Sequence, residues 1–484
     1  MATPGNDVFF ASVAELNARL VKKEFSAEEL ARAFADRLEQ LGPHYNALAL
    51  SLKEQALRQA RTVDKDFKSG LLRGPLQGVP YAVKDLLSYA GLPTTWGAKP
   101  YAGQVFDFNA KVIDKLSSVG SVIVGKLSMV ELAGGGGYRS AAASLFGPGL
   151  NPWDRTRWSG GSSSGPAAAV AAGLVPFAIG SETSGSIVTP AAFCGVTALR
   201  PTYGLVSRHG AMALSWTLDK LGPFARSAED CGLILHAIAG KDGNDPGSAG
   251  KGFYYTPQYA RPLTELRIGI ATANFTDSPD PAARPAFAAA LETLKECGVQ
   301  LVEATLPAYS YGSVLSAILG AEQASIFEPL ISSGQVNELA DPSQIAGLKA
   351  SLEILAKDYL RAMRIRRLLQ NAIQLMWGDL DAVIAPARTG IAPKVDQPLS
   401  PPPAASGSAP RSTPRDTVNS GFDSLIPAGN LAGLPALILP CGFADNLPVA
   451  IQLVGPAWSE NTLLALGKEF QTKTDWHKRK PPGV

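Results

Sequence analysis

The chain has 484 residues, of which 46% are hydrophobic and 18% are charged, and its formal net charge is +2. This composition excludes a disordered chain and predicts a large buried core. The nearly balanced charge leaves no basic surface for nucleic acid, so we expect no nucleic-acid partner.

The four cysteines of the chain form no C-x-x-C pair, and no His, Cys, Asp and Glu residues have metal-ligand spacing. We therefore expect no metal and no cofactor. The first residues lack the basic and apolar regions of a secretion signal, and the apolar stretch 166–179 is too short to span a bilayer. These features predict a cytoplasmic protein that does not associate with membranes.

The N-terminal region is predicted to be helical. Ser12 and Glu15, and then Ser26 and Glu29, have the spacing of capping boxes ahead of amphipathic runs. Residues Leu30, Phe34, Leu38 and Leu41 follow at spacings of three and four, which is typical of a helix packing on a core.

Short strand-like runs then alternate with helical segments. Strands are predicted at 121–124, 174–179, 268–271 and 382–385, and helices at 285–297 and 348–376. This alternation predicts α/β layers around one large sheet. Residues 310–378 look like a helical insertion that covers a site. Residues 397–415 are rich in Pro, Ser and Ala, which predicts a mobile loop.

Lys84 stands in an unusual setting for a lysine. Residues 78–85 read Gly-Val-Pro-Tyr-Ala-Val-Lys-Asp, so apolar side chains alternate up to Lys84. A lysine at the end of a buried strand is costly unless it is neutral or paired. A neutral lysine can act as a general base near pH 7.

Two serines, Ser162 and Ser186, lie 24 positions apart in glycine-rich segments. Glycine neighbours let a serine hydroxyl and nearby backbone N–H groups approach a substrate carbonyl. With Lys84, they indicate a serine hydrolase driven by lysine. A third glycine-rich run, 134–137, lets the backbone approach a neighbouring segment.

Residues 161–165 also match G-x-S-x-G, which would make Ser163 the nucleophile of an α/β-hydrolase esterase. That alternative needs a downstream histidine base, for which the chain offers His209, His236 and His477. His236 lies in an apolar helical run and His477 in a basic tail, and neither has the setting of a catalytic base. The run from Gly120 to Lys126 has leucine where a phosphate-binding loop has Ser or Thr, so we expect no nucleotide site.

The motifs resemble the amidase signature family of serine hydrolases over nearly the full length. The matching segments follow in the family order at 78–85, 151–154, 160–163, 186–195, 199–204, 219–223 and 448–455. The resemblance implies one α/β domain over 1–484, an α/β/α sandwich with a mixed, twisted sheet covered by helices. It also implies a catalytic Lys84–Ser162–Ser186 triad, with a cis peptide after Gly161 and with Ser163 in support. Backbone N–H groups of Thr183, Ser184, Gly185 and Ser186 would form the oxyanion hole.

The chain departs from the family pattern in the nucleophile segment. Val188 stands where the family usually has arginine, which removes a guanidinium able to bind a substrate carboxylate. This departure favours an apolar substrate, in a pocket for which we name Tyr138, Val188, Arg208, Trp216 and Leu319. The chain then looks similar to bacterial aryl acylamidases and urethane-cleaving members of the family.

The expected activity is hydrolysis of the C–N bond of a hydrophobic, aryl amide or carbamate. The alternative is the A subunit of a glutamine-dependent amidotransferase, which Val188 argues against. The expected partner is a small-molecule amide or carbamate, and the expected oligomeric state is a monomer or a homodimer.

Overall fold

The computed structural model describes residues 4–399, 422 and 424–484. The predicted mobile loop at 397–415 therefore lies outside the described residues, except for 397–399. The α/β class and the mixed sheet that the sequence predicts are confirmed.

Eleven strands of the described chain form one sheet. In chain order they are β1 (Leu48–Ser51), β2 (Pro80–Lys84), β3 (Val122–Leu127), β6 (Ala178–Glu182), β7 (Thr197–Arg200), β8 (Lys220–Ala225), β9 (Arg267–Ile270), β10 (Gln300–Glu303), β11 (Ala382–Pro386), β12 (Ala436–Ala444) and β13 (Leu447–Val454). Strands β4 (Leu150–Asn151) and β5 (Asp154–Trp158) form a separate hairpin.

The spatial order of the large sheet is β1-β3-β2-β6-β8-β7-β12-β13-β11-β9-β10. Strands β3, β2 and β6 are parallel, as are β11, β9 and β10, whereas the strands between them pair antiparallel. In the parallel pair β2–β6, Val83 is opposite Ile179. The carboxyl ends of these two strands therefore meet at one edge.

Fourteen helices of the described chain surround the sheet. They are α1 (Val13–Val21), α2 (Ala27–Leu41), α3 (Lys53–Lys68), α4 (Lys111–Ser118), α5 (Ser164–Ala171), α6 (Val188–Cys194), α7 (Ala228–Ile238), α8 (Ala273–Thr276), α9 (Arg284–Glu296), α10 (Tyr311–Ser332), α11 (Pro342–Ser351), α12 (Ala356–Trp377), α13 (Leu425–Ala432) and α14 (Glu460–Lys473). Helices α5 and α6 pack together on the centre of the sheet, while α9 and α14 pack on β12.

Both predicted capping boxes are confirmed at the starts of α1 and α2. Leu30, Phe34 and Leu38 of α2 are fully buried. The predicted helix at 348–376 is wrong in one respect, because the chain turns at 352–355 between α11 and α12. In this turn Ile354 lies against Gly320 of α10, where a Cβ would be 2.6 Å from the isoleucine side chain. This turn lets α12 pack back along α10.

Residues 310–378 contain α10, α11 and α12, of which α10 and α11 contact the glycine-rich run at 134–137. The Gly136 N–H donates to Gln323 Oε1 of α10 at 2.8 Å, and a Cβ at Gly136 would lie 2.4 Å from the Gln344 carbonyl of α11. The close approach expected of this run is confirmed. Helix α10 is long and apolar enough to cross a membrane, but 56% of its most apolar window is buried inside the protein, as in the core helix of a soluble protein.

Candidate functional site

Lys84 lies at the end of β2 and is fully buried. Its Nζ is 2.7 Å from Ser162 Oγ and 2.9 Å from Ser181 Oγ. The parallel pairing of β2 with β6 brings Ser181 to the lysine. Burial lowers the pKa of Lys84 to about 7, against the opposing charges of Asp219 and Glu182. Near neutral pH a large fraction of this amine is therefore neutral.

Ser162 is held in a loop that runs from β5 to α5. The peptide between Gly161 and Ser162 is cis, and the Ser162 side chain is fully buried. Gly160 has a positive φ of 87°, and a Cβ there would lie 2.6 Å from the Pro190 backbone. Only glycine permits this contact, which packs the Ser162 loop against helix α6.

Ser186 lies in the turn between β6 and α6 and is 8% exposed. Gly185 before it has φ +83°, so a glycine is needed at this point of the turn. Lys84 and Ser162 are in direct contact. The Ser186 hydroxyl forms no hydrogen bond to another residue in the described part of the chain.

A buried carboxylate, Glu182, fixes the turn that carries Ser186. Its Oε2 accepts from the N–H groups of Ile187 and Val188 at 2.8 and 3.0 Å. Its Oε1 accepts from Arg200 Nη1 and Asn430 Nδ2, both at 2.7 Å. Although burial opposes ionisation, the Arg200 guanidinium and these hydrogen bonds hold the pKa of Glu182 at about 2. This role of Glu182 was not identified from the sequence.

Asp219 fixes the other end of the same turn. Its carboxylate accepts from the Thr183 hydroxyl at 2.6 Å and from the Leu214 and Ser215 N–H groups at 2.8 and 2.9 Å. Burial raises the pKa of Asp219 despite these hydrogen bonds. Sequence reasoning also missed Asp219, although the motif at 219–223 pointed to its segment.

A cavity of about 190 Å³ reaches Ser181 and Thr183. Its apolar walls include Leu86, Met212 and Leu214, and the predicted residues Arg208 and Trp216 also line it. The Arg208 guanidinium is paired with Asp245 at 2.6 Å, so its charge is already balanced.

The other predicted pocket residues lie elsewhere. Val188 is fully buried in α6, and neither Val188 nor Leu319 lines the cavity at Thr183. Tyr138 is half-buried, and its hydroxyl would be 2.9 Å from a Cβ at Gly161. Tyr138 therefore lies beside the Ser162 loop rather than in the cavity.

The alternative nucleophile Ser163 is fully buried and bonded to backbone. Its Oγ donates to the Ser181 carbonyl at 3.1 Å and accepts from the Ser181 N–H at 3.3 Å. None of its hydrogen bonds among the described residues involves a histidine, and His236 Nδ1 instead lies 3.0 Å from the Phe253 carbonyl. This arrangement does not have the serine–histidine contact that the esterase alternative requires.

Similar proteins include curated enzymes and solved structures. The chain is 36% identical to the glutamyl-tRNA(Gln) amidotransferase A subunit of Synechococcus sp. (strain JA-2-3B'a(2-13)), over 97% of this chain and 93% of the relative. It is 31% identical to the peptide amidase of Stenotrophomonas maltophilia, with a TM-score of 0.83 and 98% of both chains covered. A third similar chain comes from a vestigial complex that reveals the origins of an s-triazine catabolic enzyme, at 29% identity and a TM-score of 0.84, covering 96% of this chain and 98% of that one.

These relatives confirm the resemblance to the amidase signature family. They do not show the narrower resemblance to aryl acylamidases or urethane-cleaving enzymes. Three of the curated relatives, at 34–36% identity, are amidotransferase A subunits, which correspond to the alternative function. The family profile described as amidase matches residues 29–464. The chain therefore belongs to the amidase family of enzymes that act on C–N bonds.

Proposed function

We propose that the chain hydrolyses a C–N bond through Ser186, Ser162 and Lys84. The observation that carries this proposal is the 2.7 Å contact between Lys84 Nζ and Ser162 Oγ. It occurs where burial lowers the pKa of Lys84 to about 7, so the amine is poised to accept a proton.

In this proposal Ser186 Oγ attacks the carbonyl carbon of the substrate. Its proton passes to Ser162 Oγ while the Ser162 proton passes to Lys84 Nζ, which becomes charged. The C–N bond then breaks, and the leaving nitrogen takes a proton back along the same route. Water attacks the acyl-enzyme, loses a proton to the relay and releases the acid, and Ser186 regains its proton. A carbamate would follow the same steps and then lose carbon dioxide.

The turn from Thr183 to Ser186 supplies the backbone N–H groups proposed for the oxyanion. Glu182 already accepts from the next two N–H groups, at Ile187 and Val188. Those two groups are therefore occupied, which leaves the earlier part of the turn for the substrate. Preorganised donors of this kind stabilise the charge that develops on the carbonyl oxygen.

The cavity at Thr183 supports an apolar portion on the substrate. Leu86, Met212 and Leu214 form its apolar walls, and the Arg208 charge is balanced by Asp245. An aryl amide, an anilide or an aryl carbamate fits these walls. The proposal of an aryl substrate rests on the shape and apolar walls of this cavity, and none of the similar proteins named above supports it.

The A subunit of a glutamine-dependent amidotransferase is the second candidate function. Support comes from the curated relatives, which cover more than nine-tenths of both chains at 34–36% identity. They support this candidate more directly than aryl-amide hydrolysis. The same serine would then release ammonia from glutamine for use within a complex.

One experiment separates the two functions. The purified chain alone is incubated with 4-nitroacetanilide, an aryl carbamate, an ester, a primary aliphatic amide and glutamine, and the released amine or ammonia is measured. Turnover of the aryl substrates without a partner supports the first candidate. Turnover of glutamine alone supports the second.

Fluorophosphonate labelling provides the control for the chemistry. Ser186→Ala should abolish both labelling and turnover, and Ser163→Ala should retain labelling. If Ser186→Ala still labels or still turns over substrate, the proposed triad is wrong.

A further inference from the structure

A second cavity, of about 340 Å³, adjoins the other side of the nucleophile turn. Ile426 lines it, and the Ile426 Cγ2 atom would lie 3.5 Å from a Cβ at Gly185. The cavity therefore begins one side chain away from the residue before Ser186. Its wall is more polar than that of the cavity at Thr183 and includes Asn274, Arg388 and Gln452.

Arg388 follows strand β11 and lines this cavity without a carboxylate partner. No ion pair or hydrogen bond among the described residues involves its guanidinium, whereas Arg200 and Arg208 are each paired at 2.6–2.7 Å. The guanidinium carbon lies 5.9 Å from the ring centre of Phe193 in α6, the helix that follows Ser186. A guanidinium held by an aromatic ring and lacking an anion offers its fork of donors to a ligand carboxylate.

Gln452 of β13 adds a buried acceptor to the same wall. It is 2% exposed, and its Nε2 donates to the Pro386 carbonyl at 3.2 Å. Its Oε1 has no hydrogen-bond partner within the described chain. Buried polar atoms are nearly always paired, so an unpaired amide oxygen at a cavity wall points to a donor on a ligand.

We propose that Arg388 binds a carboxylate on the substrate, and that Gln452 Oε1 accepts from an N–H group beside it. The inference rests on the proposed function of Ser186 and names the substrate class, an amide that carries a carboxylate. It revises the argument from Val188. Val188 in α6 leaves the helix after Ser186 without the arginine that is usual in the family. In this proposal Arg388, which follows β11, supplies the guanidinium instead.

Matched substrates test this proposal. Glutaryl 4-nitroanilide carries a carboxylate on the acyl side, and its methyl ester is the neutral counterpart. The pair 4-acetamidobenzoate and 4-acetamidobenzamide does the same on the amine side. The wild-type enzyme should prefer the carboxylate member of one pair over its neutral counterpart. That pair shows whether Arg388 binds a carboxylate on the acyl side or on the amine side of the scissile bond.

Arg388→Met should lower kcat/KM for the preferred carboxylate about 10- to 100-fold, which is the range for one hydrogen-bonded charge. The neutral counterpart should change less than about 3-fold, and Arg388→Lys should recover part of the loss. Arg61→Met is the control, because its guanidinium is exposed on α3 and lines neither cavity, so the carboxylate-to-neutral ratio should stay as it is. An unchanged ratio in Arg388→Met, or no carboxylate preference in the wild-type enzyme, overturns the proposal.

A binding measurement keeps this test separate from the proposed chemistry. Calorimetric titration of Ser186→Ala with the preferred carboxylate should show binding that Arg388→Met, added to the same variant, weakens about 10-fold or more. If fluorophosphonate does not label Ser186 in the wild-type enzyme, the proposed function fails while this titration still decides on Arg388. Equal binding by both variants overturns the role of Arg388.

Discussion

Replacing Lys84 with methionine should remove activity and also change how stability depends on pH. An ordinary lysine with a pKa of 10.5 would be neutral in about one molecule in 3,000 at pH 7, whereas a pKa of about 7 leaves about half of the molecules neutral. Because the native state binds this proton more weakly than the unfolded chain, charging Lys84 opposes folding. The destabilisation of the native state by the charged Lys84 is complete below pH 7, declines from pH 7 to 10.5 and is absent above 10.5.

The size of the effect follows from the two pKa values. Between pH 7 and pH 9.5, the unfolded lysine stays mostly charged while the native one loses its proton. Linkage then stabilises the wild-type protein by about 3 kcal/mol relative to Lys84→Met over this interval. The methionine variant also loses the contacts to Ser162 and Ser181, but that loss shifts its whole curve rather than its slope.

Urea unfolding of both proteins at half-unit steps from pH 6.5 to 9.5 measures this difference. The wild-type free energy of unfolding should rise relative to that of Lys84→Met as the pH rises. Over the same range, kcat/KM of the wild-type enzyme should increase with a midpoint near pH 7. Parallel stability curves, or a rate midpoint near pH 10, would refute a buried lysine that works as the neutral base.

Three further predictions concern the nucleophile turn. Ser186→Ala should lose fluorophosphonate labelling completely, whereas Ser163→Ala should keep it, as measured by fluorescence after gel electrophoresis. Glu182→Gln should cost about 3–5 kcal/mol in chemical denaturation because it leaves the buried Arg200 charge unpaired; the wild-type contribution should persist above pH 4.5 and be lost as the pH falls toward 2. Thr183→Val should lower kcat about 10-fold with little change in KM, because the hydroxyl that fixes the turn to Asp219 is gone, and an unaffected kcat would remove Asp219 from the positioning of this turn.

Much of the fold was predictable because its signals are local. The capping boxes of α1 and α2 lie within four residues, and the apolar strand cores at 122–127 and 382–386 are continuous in the chain. The predicted helix at 348–376 was wrong at 352–355, where the chain turns and Ile354 lies against Gly320 of α10, a contact between helices that the local pattern does not show. The role of 310–378 as a cap over the site remains a prediction.

The sequence by itself determined the residues of the candidate triad. The apolar residues before Lys84 and the glycines around Ser162 and Ser186 are enough to single these three residues out. Only the tertiary structure decided what surrounds them. The parallel pairing of β2 with β6 buries Lys84 and lowers its pKa, and Glu182 meets Asn430 across 248 positions of the chain. Arg388 gained significance in the same way, because a guanidinium is informative only when its cavity and its lack of a partner are known. The apolar run before Lys84 predicts a buried strand end, but the groups that face the amine there, Ser162 and Ser181, come from distant parts of the chain and are placed only by the packing.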